Sequence, residues 1–149
     1  MADCSGEHGA PLFRRQFTVS RAIASATLEI SGLGYYEAWI NGCRVGDHVL
    51  DPAQTDYDQR VFYVSYDVTG FVRDGANAIG VMLGDGWYNQ DRVWTEQCTP
   101  SYGAPRLLAE LHIQFADGTN QVVCSDEHWS ATAGPITDAN VYAGECYDA

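Results

Sequence analysis

Two aspartates alternate within a loop-like stretch of this sequence. The segment TDYD, residues 55–58, follows Asp51-Pro52 in a region rich in turn formers. Calcium prefers hard carboxylate oxygens with backbone carbonyls completing the shell, so Asp56 and Asp58 are candidate calcium ligands. Their spacing is not that of a full EF-hand loop, and aspartates also cap turns. Calcium binding and turn capping therefore both stay open for this loop.

A second stretch combines aromatic rings with hydrogen-bonding side chains. The sequence DGWYN, residues 85–89, lies in a long segment, 84–105, that has no sustained strand or helix period. An exposed ring offers a flat apolar face to the C–H face of a sugar, while nearby polar groups can bond its hydroxyls. Asp85, Trp87, Tyr88 and Asn89 are therefore candidate sugar-binding residues. The alternative is that the two rings close one end of the fold or face a neighbouring domain.

The sequence lacks the common motifs of catalytic and nucleotide-binding sites. It contains no HExxH, P-loop, GxSxG or helix-leading GxGxxG pattern. The four histidines are scattered, and none lies beside a candidate nucleophile. Glycosidases need two carboxylates at a defined separation. The chain has twenty acidic residues, and the sequence does not identify which two of them would form such a pair. We therefore assign no catalytic residue.

The composition restricts the partners and the compartment. Eight basic and twenty acidic residues give a formal net charge of −12, and such a surface repels nucleic-acid phosphates. No stretch approaches the roughly 20 apolar residues of a membrane helix, and the polar N-terminal residues do not predict a secretory signal. Five cysteines without a CxxC pair suit a reducing cytoplasm better than a zinc site or a disulfide framework. We expect a cytoplasmic protein that binds neither nucleic acid nor membranes.

Strands must position these candidate residues, because apolar and polar residues alternate through most of the chain. The predicted strands are Leu12–Val19, Ala26–Ser31, Arg60–Tyr66, Ala78–Leu83, Arg106–Phe115, Gln121–Cys124 and Trp129–Thr132. A hairpin is predicted between Tyr35–Ile40 and Cys43–Val45, with Asn41-Gly42 as its tight turn. Residues 1–10 are predicted to be a flexible leader, 11–149 a single domain, and 134–149 an irregular tail. Seven to nine short strands without a helical period predict an all-β, antiparallel β-sandwich.

Four stretches of this sequence together resemble a known domain family. They are GLGYYEAWINGCRVGDHVLDPAQTDYDQRVFYVSYDVT, GANAIGVMLGDGWYN, YGAPRLLAELHIQFADG and GPITDANVYAGECYDA. Their succession, from about Pro11 to Ala149, is similar to the N-terminal accessory domain of bacterial α-L-rhamnosidases. Shorter pieces such as YxxxWING also resemble jelly-roll sugar-binding domains of other glycosidases. The resemblance implies a jelly-roll-like, galactose-binding-domain-like β-sandwich.

The resemblance also implies a role within a larger enzyme. Such enzymes release terminal α-L-rhamnose with inversion, and their catalytic acid and base lie in a separate (α/α)6 barrel that this sequence lacks. The chain is then a non-catalytic fragment that supports the remaining domains of a parent rhamnosidase and contributes to recognition of rhamnosides. The alternative is an autonomous, calcium-dependent L-rhamnose-binding module, which a related β-sandwich forms in some family members. The nearest matches to such a module are the TDYD loop and the segment from Asp85 to Pro105.

Overall fold

Strands make up the regular secondary structure of the part of the chain that the structure describes. The structure is a computed structural model and describes residues 9–90 and 101–148. The strands are β1 Leu12–Val19, β2 Ile23–Leu33, β3 Tyr35–Ile40, β4 Cys43–Arg44, β5 Val64–Asp67, β6 Gly75–Gly84, β7 Arg106–Phe115, β8 Asn120–Cys124, β9 Ser130–Thr132, β10 Ile136–Asn140 and β11 Gly144–Tyr147. Within these described ranges no helix is long and apolar enough to cross a membrane.

The strands form two main antiparallel sheets and one separate hairpin. The five-stranded sheet has the order β4-β3-β6-β1-β9, the four-stranded sheet has the order β5-β2-β7-β8, and β10 pairs with β11. The two main sheets enclose one common apolar core. This arrangement confirms the prediction of an all-β, antiparallel, jelly-roll-like β-sandwich.

The alternation within β7 explains how the sequence closes this core. Ala109, Leu111 and Ile113 are each 1% exposed and face the core, whereas Glu110 and His112 between them are only partly buried and face outward. Burial of a side chain such as Leu111 contributes about 1.5–3 kcal/mol. The prediction of a strand over these residues is confirmed at both of its ends.

The apolar character of β6 has two different causes. This strand is central, pairing with β1 and β3, and its Ile79 and Leu83 are buried in the core. Its opposite face carries the small residues Ala78 and Gly80, which leave a groove of about 460 Å³ beside Trp39. One face of β6 therefore fills the core, and the other lines an apolar groove on the outside of the sandwich.

The predicted hairpin forms, and its turn residue also connects distant parts of the chain. Asn41 and Gly42 have φ values of 52° and 84°, as a tight turn between twisted strands requires. The Asn41 side chain donates to the Phe71 carbonyl at 2.8 Å and accepts from the Ala78 backbone N–H at 3.0 Å. Asn41 therefore joins the β3–β4 turn both to β6 and to the segment that precedes β6.

The strand predicted over Arg60–Tyr66 begins later in the structure, since β5 starts at Val64. A preceding turn uses the backbone groups of Arg60. Its N–H donates to the Asp56 carbonyl at 2.9 Å, and its carbonyl accepts from the Thr55 hydroxyl at 2.6 Å. Because these groups are bonded within the loop, they are not available to a strand ladder.

The C-terminal segment is more regular than the sequence predicts, because β10 and β11 form an antiparallel hairpin there. The Asn140 side-chain oxygen accepts from the backbone N–H groups of Tyr142 and Ala143, each at 2.9 Å. Gly144 follows with a φ of 84°. The prediction of an irregular tail over 134–149 is therefore wrong for these two strands, and the described strands exceed the seven to nine expected.

The predicted leader, residues 1–10, lies largely outside the described residues. At its end Ala10 is 3% exposed, and its backbone N–H donates to the Ile136 carbonyl at 2.9 Å. The described chain therefore contacts β10 before β1 begins.

Three of the five cysteines fall in the described ranges. Cys43 and Cys124 are free and exposed, whereas Cys146 is disulfide-bonded. The reducing cytoplasm expected from the cysteine pattern stays a prediction.

Candidate functional site

One end of the sandwich collects the loops that the sequence singles out. The segment after β6 lies beside the start of β3, where Tyr35 pairs with Gly84. The loop between β4 and β5 reaches the same strand, since Tyr36 forms a β-bridge with Asp51. The β10–β11 hairpin joins them, because Ala139 lies against Gly84. We call this region the loop end.

The segment after β6 folds into an internally bonded turn. Asp85 is 1% exposed, and its Oδ1 accepts from the Asn89 side-chain amide at 3.0 Å. The Asn89 Oδ1 in turn accepts from the Ser101 hydroxyl at 2.7 Å. Gly86, with a φ of 52°, is required because a Cβ there would lie 2.8 Å from the Tyr35 nitrogen. Asp85 and Asn89 therefore shape the turn, and sugar binding by these two side chains stays a prediction.

Three tyrosine rings connect the two predicted loops directly. The Tyr57 ring packs edge-on against Tyr88, with centroids 5.3 Å apart, and against Tyr102 at 5.2 Å. Tyr88 and Tyr102 stack at 5.7 Å with an interplanar angle of 22°. Such pairs each contribute about 0.5–1.5 kcal/mol beyond the area that they bury. The TDYD loop and the segment from Asp85 therefore meet at the loop end.

Trp87 extends this cluster of rings in the other direction. Its ring packs edge-on against Tyr142 of the β10–β11 turn, with centroids 5.5 Å apart. Burial raises the pKa of Tyr35, although the nearby Trp87 side chain opposes that rise. Burial also raises the pKa of Tyr57, with the neighbouring hydroxyls of Tyr35 and Tyr102 adding to it.

These contacts define one aromatic cluster across the loop end. Its members are Tyr35, Tyr57, Trp87, Tyr88, Tyr102 and Tyr142. Tyr88 is 9% exposed and anchors the cluster, while Tyr102 is 39% and Tyr142 is 47% exposed. Exposed rings held by buried ones form a rigid apolar surface, and such a surface suits the C–H face of a sugar ring.

Asp56 and Asp58 lie on either side of Tyr57, exposed at the rim of the aromatic cluster. The Asp56 side chain accepts from the Asp58 backbone N–H at 3.3 Å and from the Gln59 side-chain amide at 2.6 Å. These bonds are those of an aspartate that caps a turn. Within the described residues, neither aspartate belongs to a group of three acidic, His or Cys ligand atoms close enough to share an ion. Calcium binding by Asp56 and Asp58 stays a prediction.

A polar network of hydrogen-bonded side chains also lies at the loop end. The Asp51 Oδ2 atom accepts from the Tyr66 hydroxyl at 2.8 Å and lies 2.7 Å from the His48 Nδ1 atom. The Tyr66 hydroxyl is also 3.4 Å from that of Tyr36. Burial raises the pKa of Tyr36 and of Tyr66, and the negative charge of Asp51 adds to both shifts. This network fixes the start of the loop that carries Tyr57.

Two members of the aromatic cluster are not predicted from the sequence. The TDYD segment predicts a role for its aspartates but none for Tyr57 between them, and Tyr142 lies in a segment that the sequence predicts to be an irregular tail. The signal that the sequence offers is compositional, since the chain contains nine tyrosines and four tryptophans. The part of the long segment from 91 to 100 lies outside the described residues.

Comparison with known proteins places the chain among similar domains. Residues 21–149 match the family described as "Alpha-L-rhamnosidase N-terminal domain". A protein of Formosa agariphila named alpha-L-rhamnosidase is 41% identical over 144 residues, which are 94% of this chain and 15% of that protein.

Two solved structures share the fold at a similar level of identity. The native α-L-rhamnosidase of Aspergillus terreus is 40% identical with a TM-score of 0.90, over 94% of this chain and 16% of that one. The Streptomyces avermitilis α-L-rhamnosidase complexed with L-rhamnose is 40% identical with a TM-score of 0.89, over 95% of this chain and 14% of that one. The chain thus spans about 15% of the length of the curated relative from Formosa agariphila.

Proposed function

The chain belongs to the α-L-rhamnosidase N-terminal domain family, and we propose that it is a non-catalytic accessory domain of an α-L-rhamnosidase that contributes to recognition of the rhamnoside. The observation that carries the proposal is the contact between the two predicted loops through Tyr57, Tyr88 and Tyr102. The two loops that meet there carry the partly exposed ring of Tyr102 and the exposed side chains of Asp56 and Asp58.

The share of each relative that the chain covers supports the non-catalytic role. The chain matches only 14–16% of the compared rhamnosidases. Hydrolysis with inversion needs an acid and a base about 6.5–9.5 Å apart, with a water between them. In this proposal those groups lie elsewhere in the parent enzyme, and the chain alone hydrolyses no rhamnoside.

The chemistry of the loop end supports the recognition role. A deoxy sugar such as L-rhamnose presents a methyl group and C–H faces that pack on aromatic rings, and hydroxyls that bond to carboxylates. The rings of Tyr102 and Tyr142 supply the apolar face, and the exposed carboxylates of Asp56 and Asp58 supply acceptors. No ion is part of this proposal, since turn bonds already use the Asp56 side chain.

A sugar titration tests the proposal. We expect L-rhamnose to shift the NMR signals of the loop end in the 149-residue chain at millimolar concentration, with or without calcium. Tyr102→Ala should weaken this binding about fivefold, equivalent to about 1 kcal/mol, because the sugar loses one exposed ring. The matched control is Tyr63→Ala, which removes a tyrosine that is 63% exposed outside the aromatic cluster.

Three outcomes would contradict the proposal. The first is the absence of any shift at millimolar sugar in both conditions, and the second is an equal loss of binding in the two variants. The third is hydrolysis of a rhamnoside by the chain alone, which would contradict its non-catalytic role. A requirement for calcium would favour a calcium-dependent binding module instead.

A further inference from the structure

Three metal-ligating side chains meet on the outer face of the four-stranded sheet. Glu29 of β2 stands directly opposite Glu110 of β7, and His112 lies two residues further along β7 on the same face. One ligand atom from each of the three residues lies within 4.8 Å of the others. They form the sole such group in the chain that the structure describes, and it lies outside the loop end.

The spacing of these atoms fits a small divalent transition metal. The His112 Nε2 atom lies 3.1 Å from Glu110 Oε2 and 4.0 Å from Glu29 Oε2. In a tetrahedral zinc centre with bonds of about 2.1 Å, the ligand atoms lie about 3.4 Å apart. One of the two observed distances is shorter than this value and the other is longer. The carboxylate and imidazole donors therefore need only small side-chain movements to share one ion.

The charges at this place favour a cation. Like charges directly opposite on paired strands destabilise a sheet, and Glu29 and Glu110 form such a pair. Neither glutamate has a lysine or arginine within ion-pair distance among the described residues, and His112 is their one possible cationic partner there. A divalent ion would offset both carboxylates of a chain that already carries a net charge of −12.

The strand register brings a fourth donor to the same row. Cys124 of β8 is the direct partner of Glu110, on the side away from Glu29. Its thiol is free and exposed. Directly opposite residues have Cβ atoms about 4.5–5.5 Å apart, so a rotation of the Cys124 side chain can bring its sulfur towards the ion. A thiolate and an imidazole together bind zinc in preference to calcium or magnesium.

We propose that Glu29, Glu110, His112 and Cys124 form a zinc site on the rigid β2–β7–β8 surface. The rigid strands position the ligands, so metal binding orders side chains without refolding the backbone. The site is independent of sugar recognition, because it involves no residue of the aromatic cluster.

Metal titration of the complete 149-residue chain, after treatment with a chelator, tests the proposal. We expect one zinc ion per chain to bind and to raise the Tm, because an ion that binds the folded state stabilises it. His112→Ala and Glu29→Gln should each raise the Kd for zinc by about tenfold or more. With Co²⁺ as the probe, the chain should show a thiolate-to-metal absorption band that Cys124→Ser removes.

Matched controls separate this site from other surface donors. His128→Ala removes an exposed histidine that also lies beside a carboxylate, and Cys43→Ser removes the other free thiol of the described ranges. Both variants should bind zinc like the unmodified chain. Unchanged zinc affinity in His112→Ala and Glu29→Gln would overturn the site, as would the absence of zinc binding at micromolar concentration. A Co²⁺ band that persists in Cys124→Ser would overturn the assignment of that ligand.

Discussion

Tyr36 illustrates how the fold changes the chemistry of a single residue. Its side chain is 7% exposed, and its hydroxyl faces that of Tyr66, which in turn bonds to Asp51. Burial disfavours the tyrosinate anion, and the nearby negative charge of Asp51 disfavours it further, so the pKa of Tyr36 is raised. The folded chain therefore keeps this proton at a pH where the unfolded chain releases it.

This raised pKa predicts a loss of stability in alkali. The contribution of Tyr36 is fully present below its unfolded pKa of 10.0 and is lost as pH rises from there towards the higher pKa of the folded state. For each tyrosine that stays protonated, the free energy of unfolding should fall by up to about 1.4 kcal/mol per pH unit.

Urea unfolding at several pH values between pH 9 and about pH 12 measures this loss. Tyr36→Phe should show a shallower decline than the unmodified chain, because one titrating group is gone. Tyr147→Phe removes a tyrosine that is 68% exposed and should keep the original slope. Equal slopes in Tyr36→Phe and the unmodified chain would contradict the prediction.

The loop end depends on a close approach between two elements, the β2–β3 turn and the end of β6. Gly34 has a φ of 122°, and a Cβ at this position would collide with the Gly84 carbonyl oxygen. Gly42 in the β3–β4 turn also has a positive φ, of 84°, but a Cβ there would meet no atom within 4 Å. The first glycine is needed for space and conformation, and the second for conformation alone.

This difference predicts unequal effects of the same substitution at two turns. Gly42→Ala should lower the free energy of unfolding by about 1–2 kcal/mol, the cost of a left-handed residue. Gly34→Ala should cost several kcal/mol, because the backbone of the loop end must also move apart. Urea unfolding measures both values, and equal losses would contradict the inferred contact.

At the scale of the whole molecule, the two sheets depend on one core. Val81 of the five-stranded sheet and Leu111 of the four-stranded sheet belong to the same cluster of buried residues, with 2% and 1% exposure. Neither sheet can bury its apolar face without the other. The outer faces of the two sheets are therefore free of the core. One carries the groove beside Trp39, and the other carries the group of Glu29, Glu110 and His112.

A shared core predicts one cooperative unfolding transition. Leu111→Ala should lower the free energy of unfolding by about 2–5 kcal/mol, and Val81→Ala in the other sheet should lower the midpoint of the same transition. Leu108→Ala provides the control in β7, because Leu108 is 62% exposed and its loss should change stability by about 0.5 kcal/mol or less. Circular dichroism and tryptophan fluorescence should give coincident curves, and two separate transitions would contradict a single core.

The sequence by itself determined the sandwich, because alternation in strands such as β1 and β7 and the Asn41-Gly42 turn are local signals. It also identified the family through ordered motifs. Only the tertiary structure decided which loops meet, since the contacts of Tyr57 with Tyr88 and Tyr102 join residues far apart in the chain. The zinc site has the same origin, because strand register, and not sequence spacing, places Glu29, Glu110 and Cys124 in one row. Pairing between distant strands depends on the packing of the whole core, and a local pattern does not encode it.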